Sequence, residues 1–416
     1  MSGFGIYVHW PFCTAKCPYC DFNSHVRSRI DEAGWIDAIV HELEWVADRQ
    51  GGERPVVETV FFGGGTPSLM HGSSVQRTLD TIARLWRTAN DVEVTLESNP
   101  ASADAARFHD YRTAGVNRLS LGMQALNDRD LKALGRLHDA IEARAALKLA
   151  MANFDRVSLD LIYARPDQTL AQWHEELREA LSFGTEHLSL YQLTIEPATP
   201  FYQLHRTGSL KIPGEELAAD LFELTQELTA AAGRPGYEIS NHARPGSEAR
   251  HNLLYWRYGS YAGVGPGAHG RLDLNGNRIA TQTEKLPERW REMVVRHGHG
   301  VIDQTPIAAK DAAREHLLMN LRLNEGIDLA LYRARWGQCP DVERMTALIE
   351  QGLLRLDGER LSATSRGRLL LNSVIAALAN FETETTLGIN ELLVSPRLRN
   401  SQNADIKSER TSESGH

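Results

Sequence analysis

Cysteine is scarce in this chain of 416 residues: there are four, three of them within Cys13-Thr-Ala-Lys-Cys17-Pro-Tyr-Cys20 and the last, Cys339, far downstream. Such a count argues against a disulfide-stapled scaffold, because three clustered thiols leave one unpaired among themselves. Long apolar runs are missing as well. No segment approaches the roughly 20 residues of a membrane span, and the amino terminus lacks the basic, apolar and small-residue succession of a secretory signal. There is no basic excess. With 54 acidic and 45 basic residues the net charge is -9, which argues against a nucleic-acid-binding surface. The glycine fingerprints of a Rossmann turn or a P-loop are also absent. Together these absences predict a cytoplasmic protein in a reducing compartment, with no nucleic-acid partner and no transmembrane segment; peripheral membrane contact stays open.

What is present is an alternation of two periods. Ile6-His9, Val56-Phe62, Val92-Glu97, Arg118-Gly122, Arg156-Ile162 and His187-Thr194 read as strands. Between them Trp35-Arg49, Val75-Trp86, Ser102-Ala114, Ala140-Met151 and Leu170-Ser182 are amphipathic at helical spacing, the βα repeat of a parallel sheet. Six such units in about 200 residues predict an α/β fold built on an incomplete (β/α)6 barrel, whose site collects where strands end. After a helix at Glu215-Ala232 the pattern turns irregular, rich in glycine and aromatics, from Gly236 to Gly270. Helices near Asp311-Leu321, Leu329-Trp336 and Asp341-Gln351 follow, then a hairpin marked by Asp357-Gly358 and a helical Arg366-Leu378, a winged-helix-like order. Its recognition region carries little positive charge, which favours a lid or docking module over DNA binding. The expected division is a barrel over 1–235, a connector over 236–305, a C-terminal domain over 306–380 and a polar, disordered tail over 381–416.

Three thiolates on one short loop can hold three irons of a 4Fe-4S cube and leave the fourth open to a small molecule. The alternative is a zinc knuckle completed by His9 or His25, although zinc loops usually pair their cysteines in two separated halves. Further along, Gly63-Gly64-Gly65-Thr66-Pro67 follows an apolar strand and lets backbone approach a ligand closely. Glu97 ends a strand on the face opposite Val92, Val94 and Leu96, where its carboxylate suits a ribose diol. Gln124, Arg136 and Asp160 are further polar groups near strand ends.

The spacing C-x-x-x-C-x-x-C, with Tyr19 before the last cysteine, resembles the radical S-adenosylmethionine superfamily. That resemblance implies that the amino acid moiety of S-adenosylmethionine chelates the open iron and that one electron cleaves the sulfonium to methionine and a 5'-deoxyadenosyl radical. Tyr7-Val-His-Trp-Pro-Phe-Cys13, Gly63-Gly-Gly-Thr-Pro67, Glu97-Ser-Asn-Pro100, Leu121-Gly-Met-Gln124 and Asp160-Leu-Ile-Tyr163 stand in the order of the oxygen-independent coproporphyrinogen III oxidase family. By that resemblance Tyr7, Gly64, Gly65, Thr66, Glu97, Gln124, Arg136, Asp160 and Thr194 would line the S-adenosylmethionine site, and Tyr19 would contact the adenine.

Two departures separate the chain from the oxidases of that family. They carry a further cysteine two residues beyond the third, where this chain has Phe22, and a substantial segment before the cysteine loop, whereas Tyr7 comes here almost at once. In addition, Arg250-His251-Asn-Leu-Leu-Tyr255-Trp256 resembles the H-N-x-x-Y-W signature of the family's heme chaperones, the HemW group. An imidazole can ligate heme iron axially, and Tyr255 and Trp256 can pack against a porphyrin face. His269 is a second candidate. The expectation is therefore a heme chaperone with a 4Fe-4S cluster, S-adenosylmethionine and heme as cofactors. Its partners would be a one-electron reductant and a heme-acceptor protein. A coproporphyrinogen III oxidase is the alternative, and a zinc-stabilised scaffold ranks third.

Overall fold

The computed structural model describes residues 3–52 and 54–379; the tail expected over 381–416 lies outside the described residues. Six strands run parallel and in chain order: β1 (Phe4–Trp10), β2 (Val57–Gly64), β3 (Thr88–Ser98), β4 (Arg118–Gln124), β5 (Arg156–Tyr163) and β6 (His187–Gln192). Each connection carries a helix: α1 (Glu32–Gln50), α2 (Gly72–Leu85), α3 (Ala105–Ala114), α4 (Ala140–Asn153) and α5 (Leu170–Ser182), with α6 (Glu215–Ala231) after β6. Capping boxes at Asp139/Glu142 and Thr169/Gln172 start α4 and α5 by satisfying backbone N–H groups that the first turn leaves unpaired.

Strand alternation sorts each side chain to one of two environments. On β5, Val157, Leu159 and Leu161 are buried in the main core beneath the helices, while Ser158 and Asp160 face the barrel interior. Register then gathers the inward polar groups. Glu97 stands opposite Ser120, Ser120 opposite Ser158, and Asp160 opposite both Gly122 and Ser189. The interior is thus lined with carboxylates and hydroxyls rather than filled with aliphatic layers, which leaves it able to take a polar ligand.

The stretch that reads as irregular is the main departure from expectation. It adds β7 (Asn241–Ala243) antiparallel to β6, then α7 (Arg250–Trp256), then β8 (Ser260–Val264) parallel to β1. Three further antiparallel steps, β8 to β9 (His269–Leu274), β9 to β10 (Asn277–Thr283) and β10 to β11 (Val301–Pro306), the last after α8 (Pro287–His297), complete a sheet of eleven strands. These added strands span three to seven residues and are interleaved with glycines, so no period accumulates long enough to be read.

The C-terminal module has its own core, including Leu317, Leu321, Leu354, Leu361 and Val374. Its hairpin, Leu354–Asp357 with Arg360–Ala363, turns at the expected Asp357-Gly358, and Ile327–Asp328 adds a third strand. The helix expected over Arg366-Leu378 is instead two, Ser365–Leu369 and Leu371–Ala379. The module rests on α7: Asn320 Nδ2 donates to the Trp256 carbonyl at 2.8 Å, and Arg257 pairs with Glu325 at 2.8 Å. Among the described residues no helix is long and apolar enough to cross a membrane.

Candidate cluster and cofactor site

The cysteine loop leaves the carboxyl end of β1, anchored by Phe12, which packs edge-on against Trp10 and Trp35 with ring centres 5.2 and 5.1 Å away. The backbone then holds the loop against β2. Gly65 N–H donates to the Trp10 carbonyl at 2.7 Å and Thr66 N–H to the Phe12 carbonyl at 2.8 Å. Both glycine positions are obligatory. Gly64 has φ +109°, and a Cβ there would lie 2.6 Å from the His9 ring, while a Cβ on Gly65 would lie 2.7 Å from the Phe12 carbonyl oxygen.

The three thiols sit close enough to influence one another electrostatically. Cys13 Sγ accepts from the Thr66 hydroxyl at 3.3 Å, Cys17 Sγ from Arg136 Nη1 at 3.6 Å, and Cys20 Sγ lies 3.9 Å from Ser24 Oγ. Burial pushes the Cys13 and Cys20 thiols up, opposed at Cys13 by the Thr66 hydroxyl and at Cys20 by the Phe22 main chain and the Ser24 hydroxyl. Neither histidine of the zinc alternative is free. His9 Nδ1 is 3.0 Å from the Tyr7 hydroxyl and Nε2 is 2.9 Å from the Asn23 carbonyl, while His25 Nε2 is engaged with Asn23 Oδ1 at 3.1 Å. Among the described residues no three His, Cys, Asp or Glu side chains converge on a single ion. Ligands to separate irons of a cube need no such convergence.

Beside the loop, the barrel mouth collects the expected polar groups. Glu97 accepts the Gly64 N–H at 3.3 Å. Burial and the neighbouring Asp160 carboxylate push its carboxyl up to about 8, and the Gly64 N–H opposes them only in part. Asp160 accepts from Ser120 Oγ at 2.9 Å and from Ser158 Oγ at 3.1 Å. Burial raises it, while hydroxyls of Ser189, Ser120 and Ser158 hold it down. Gln124 ends β4 at φ +71°, a conformation that non-glycine residues rarely adopt and that recurs at ligand sites. Its amide lies above Gly122, as does the Arg136 guanidinium, which donates from Nη2 to the Gly122 carbonyl at 2.9 Å. Arg136 Nε is buried without a partner, so one directed donor remains for a ligand. The Tyr19 ring packs against Phe201 at 6.4 Å with its hydroxyl on Arg136. Thr194, just beyond β6, hydrogen-bonds the Glu196 carboxyl, which has Asp21, next to the cysteine loop, as an acidic neighbour. Tyr191 keeps 46% of its surface exposed although burial raises its phenol, as expected for a group lining an enclosed but open lumen.

The H-N-x-x-Y-W segment is placed differently from expectation. His251 lies 2% exposed inside the barrel wall, with Nδ1 2.9 Å from Thr59 Oγ1 and its ring stacked on Phe61 at 4.9 Å and Tyr7 at 6.4 Å. Burial pushes its pKa down to about 3, and Nε2 has no hydrogen-bond partner. Tyr255 shares that face, 4.4 Å from the His251 ring. Trp256 does not. One residue further along the helix, it turns toward the C-terminal module, where Arg322 lies 5.8 Å over its ring. Tyr255 and Trp256 therefore do not form one porphyrin face, because adjacent helical residues diverge by about 100°. His269, on β9, is near enough to His9 to help depress its pKa.

Sequence reasoning passed over the interior serines Ser120, Ser158 and Ser189, and Glu93. The last accepts the His251 N–H at 3.1 Å and pairs with Arg156 at 2.6 Å. Their signal was in the strands, where polar residues alternate with aliphatic ones that the helices must cover.

Three clustered thiols, a glycine cradle and an unpartnered arginine donor fit a three-cysteine cluster with a polar ligand beside it. Comparison with known proteins agrees. The sequence model of the Radical SAM superfamily matches residues 7–180, and that of the HemN C-terminal domain matches residues 307–370. The chain is 39% identical to the heme chaperone HemW of Escherichia coli (strain K12), over 89% of this chain and 96% of that protein. It is 38% identical to the mitochondrial radical S-adenosyl methionine domain-containing protein 1 of Bos taurus, over 90% and 86% of the two chains. Coproporphyrinogen III oxidase (HemN) from Escherichia coli, a radical SAM enzyme, superposes with a TM-score of 0.78 at 21% identity, over 92% of this chain and 91% of that one, a likeness of fold. The barrel, the cysteine loop and the length of the match lead to one assignment: this chain belongs to the HemW family of radical S-adenosylmethionine proteins.

Proposed function

We propose that the protein is a heme chaperone that binds a 4Fe-4S cluster, S-adenosylmethionine and heme, and passes heme to an acceptor protein in the cytoplasm. The observation that carries this reading is the 39% identity to a heme chaperone over 96% of that chaperone's length. Cys13, Cys17 and Cys20 hold the cluster. When bound beside S-adenosylmethionine, a cluster of this kind supplies an electron drawn from an external reductant. The chain's own groups bind and orient. Gly64 and Gly65 admit the cofactor's amino acid end, Thr66 and Arg136 stabilise thiolate charge, and Glu97, Gln124, Asp160 and Thr194 face its polar groups. Tyr19 lies against the adenine, and Tyr7 closes the floor.

On the heme side, His251 would hold the iron. Thr59 occupies Nδ1, so iron would bond Nε2, and α7 must shift off Tyr7 and Phe61 for a porphyrin to reach it. Tyr255 would follow the imidazole, whereas Trp256 would meet heme only from the side of the C-terminal module. The test is anaerobic reconstitution followed by heme titration and coproporphyrinogen III turnover in parallel. Heme should bind, and His251→Ala should weaken it or alter its absorption while leaving the cluster's iron content unchanged. Conversion of coproporphyrinogen III at many turnovers, without heme binding, would overturn the proposal in favour of the oxidase.

A further inference from the structure

One motif residue, Asn252, has no place in the reading above, and the structure gives it a connection to the cofactor side. Asn252 Nδ2 donates to the Tyr237 hydroxyl oxygen at 3.1 Å, and the Ala249 main chain faces the same oxygen. Because that amide nitrogen can only donate, the acceptor in hydrogen-bond range of the phenol proton is His187 Nε2 at 3.0 Å. His187 must then carry its proton on Nδ1, which lies 2.7 Å from Ser158 Oγ. Ser158 in turn donates to Asp160 Oδ1 at 3.1 Å. The directions follow from that first donation, because an imidazole with one nitrogen accepting donates from the other, and Ser158, which also lies 3.2 Å from Ser189 Oγ, keeps its own proton for Asp160.

Burial, with His187 only 2% exposed, and the neighbouring Arg118 charge both oppose a second proton on its ring. The start of the hydrogen-bond chain is mechanically fixed. Residue Asn252 belongs to α7, which the C-terminal module holds through Asn320 on the Trp256 carbonyl, and Asn324 N–H donates to the Tyr237 carbonyl at 2.9 Å.

We infer that Asn252 and Tyr237 are positioning residues for the cofactor-facing carboxylate Asp160, acting through His187 and Ser158, so that the motif helix and the S-adenosylmethionine site are coupled. This rests on the reading that places S-adenosylmethionine against Asp160. Losing the phenol proton frees the His187 ring to take its other tautomer. Ser158 then donates to the imidazole and no longer to Asp160, and the carboxylate loses one of its hydroxyl donors. By linkage, a ligand that shifts α7 changes cofactor affinity, and the cofactor changes that ligand's affinity by the same factor.

The experiment is a double-mutant cycle on the anaerobically reconstituted full chain, read as the S-adenosylmethionine dissociation constant by calorimetry. Tyr237→Phe, which keeps the ring, and Asn252→Leu should each raise the constant about threefold to tenfold, the worth of one buried hydrogen bond, with cluster iron unchanged. In a Ser158→Ala background, where the chain is already cut, Tyr237→Phe should add less than about twofold. Unchanged affinity in both single variants, or full additivity with Ser158→Ala, overturns the coupling; should Tyr237→Phe not fold, the Asn252→Leu cycle decides in the same way. Failure of the unmutated, cluster-loaded protein to bind S-adenosylmethionine would instead sink the cofactor assignment, and the two failures are told apart by that first titration.

Discussion

Replacing Glu97 by glutamine should make the cluster-free protein more stable at pH 8 while weakening its hold on S-adenosylmethionine. The reason is that burial and Asp160 push the Glu97 carboxyl from 4.5 to about 8 in the folded chain. Below about pH 4.5 the group is protonated folded or unfolded and has no effect. As pH rises from about 4.5 to about 8, the unfolded chain gives up the proton and the folded chain keeps it, so stability falls through that window and levels off above it. At 1.36 kcal/mol per pH unit the full difference is about 4 to 5 kcal/mol. Water in the barrel mouth screens part of it, so about 2 to 3 kcal/mol is the working expectation. Urea unfolding of wild type and Glu97→Gln at pH 5 and pH 8 reads it directly: the variant's advantage should be small at pH 5 and close to full at pH 8. An identical pH dependence in both proteins would show that Glu97 ionises as freely as a surface carboxylate and refute the reasoning.

Single alanine replacements of Cys13, Cys17 or Cys20 should abolish the brown chromophore of the reconstituted protein, whereas exposed Cys339 can be replaced without loss of iron. Gly65→Ala should also lower iron loading, since its Cβ would meet Phe12 main chain at 2.7 Å, while Gly52→Ala, with nothing within 4 Å, should leave loading unchanged. Glu42, fully buried, accepts the N–H groups of Gly265 and Gly300 at 2.7 Å each and the Trp290 indole at 3.1 Å. Glu42→Ala should therefore cost about 3 to 6 kcal/mol by leaving three buried donors unpaired, seen as a large fall in the unfolding midpoint.

Much of the barrel was legible because its strands and helices each run long enough for their period to show, as β5 does with Val157, Leu159 and Leu161 alternating against Ser158 and Asp160. The cysteine loop was legible because iron chemistry fixes ligand spacing within one short segment. The connector was not. Its strands are short, and what makes β8 a strand is pairing with β1 from the opposite end of the domain, which no local pattern records. The motif helix was found by resemblance, but its two faces were not. His251 and Tyr255 face the barrel and Trp256 the C-terminal module because the helix is wedged between them, a tertiary fact. Glu93, His187 and Tyr237 were likewise silent, since each is informative only through a partner distant in sequence.

Heme transfer and porphyrinogen oxidation require different products from this barrel. The most direct measurement presents the reduced, cluster-loaded protein, with S-adenosylmethionine, to heme followed by a heme-free acceptor hemoprotein in one set of reactions and to coproporphyrinogen III in another. Heme should bind and then appear in the acceptor while coproporphyrinogen III is recovered unchanged; formation of protoporphyrinogen IX at many turnovers, with no heme reaching the acceptor, would contradict heme transfer.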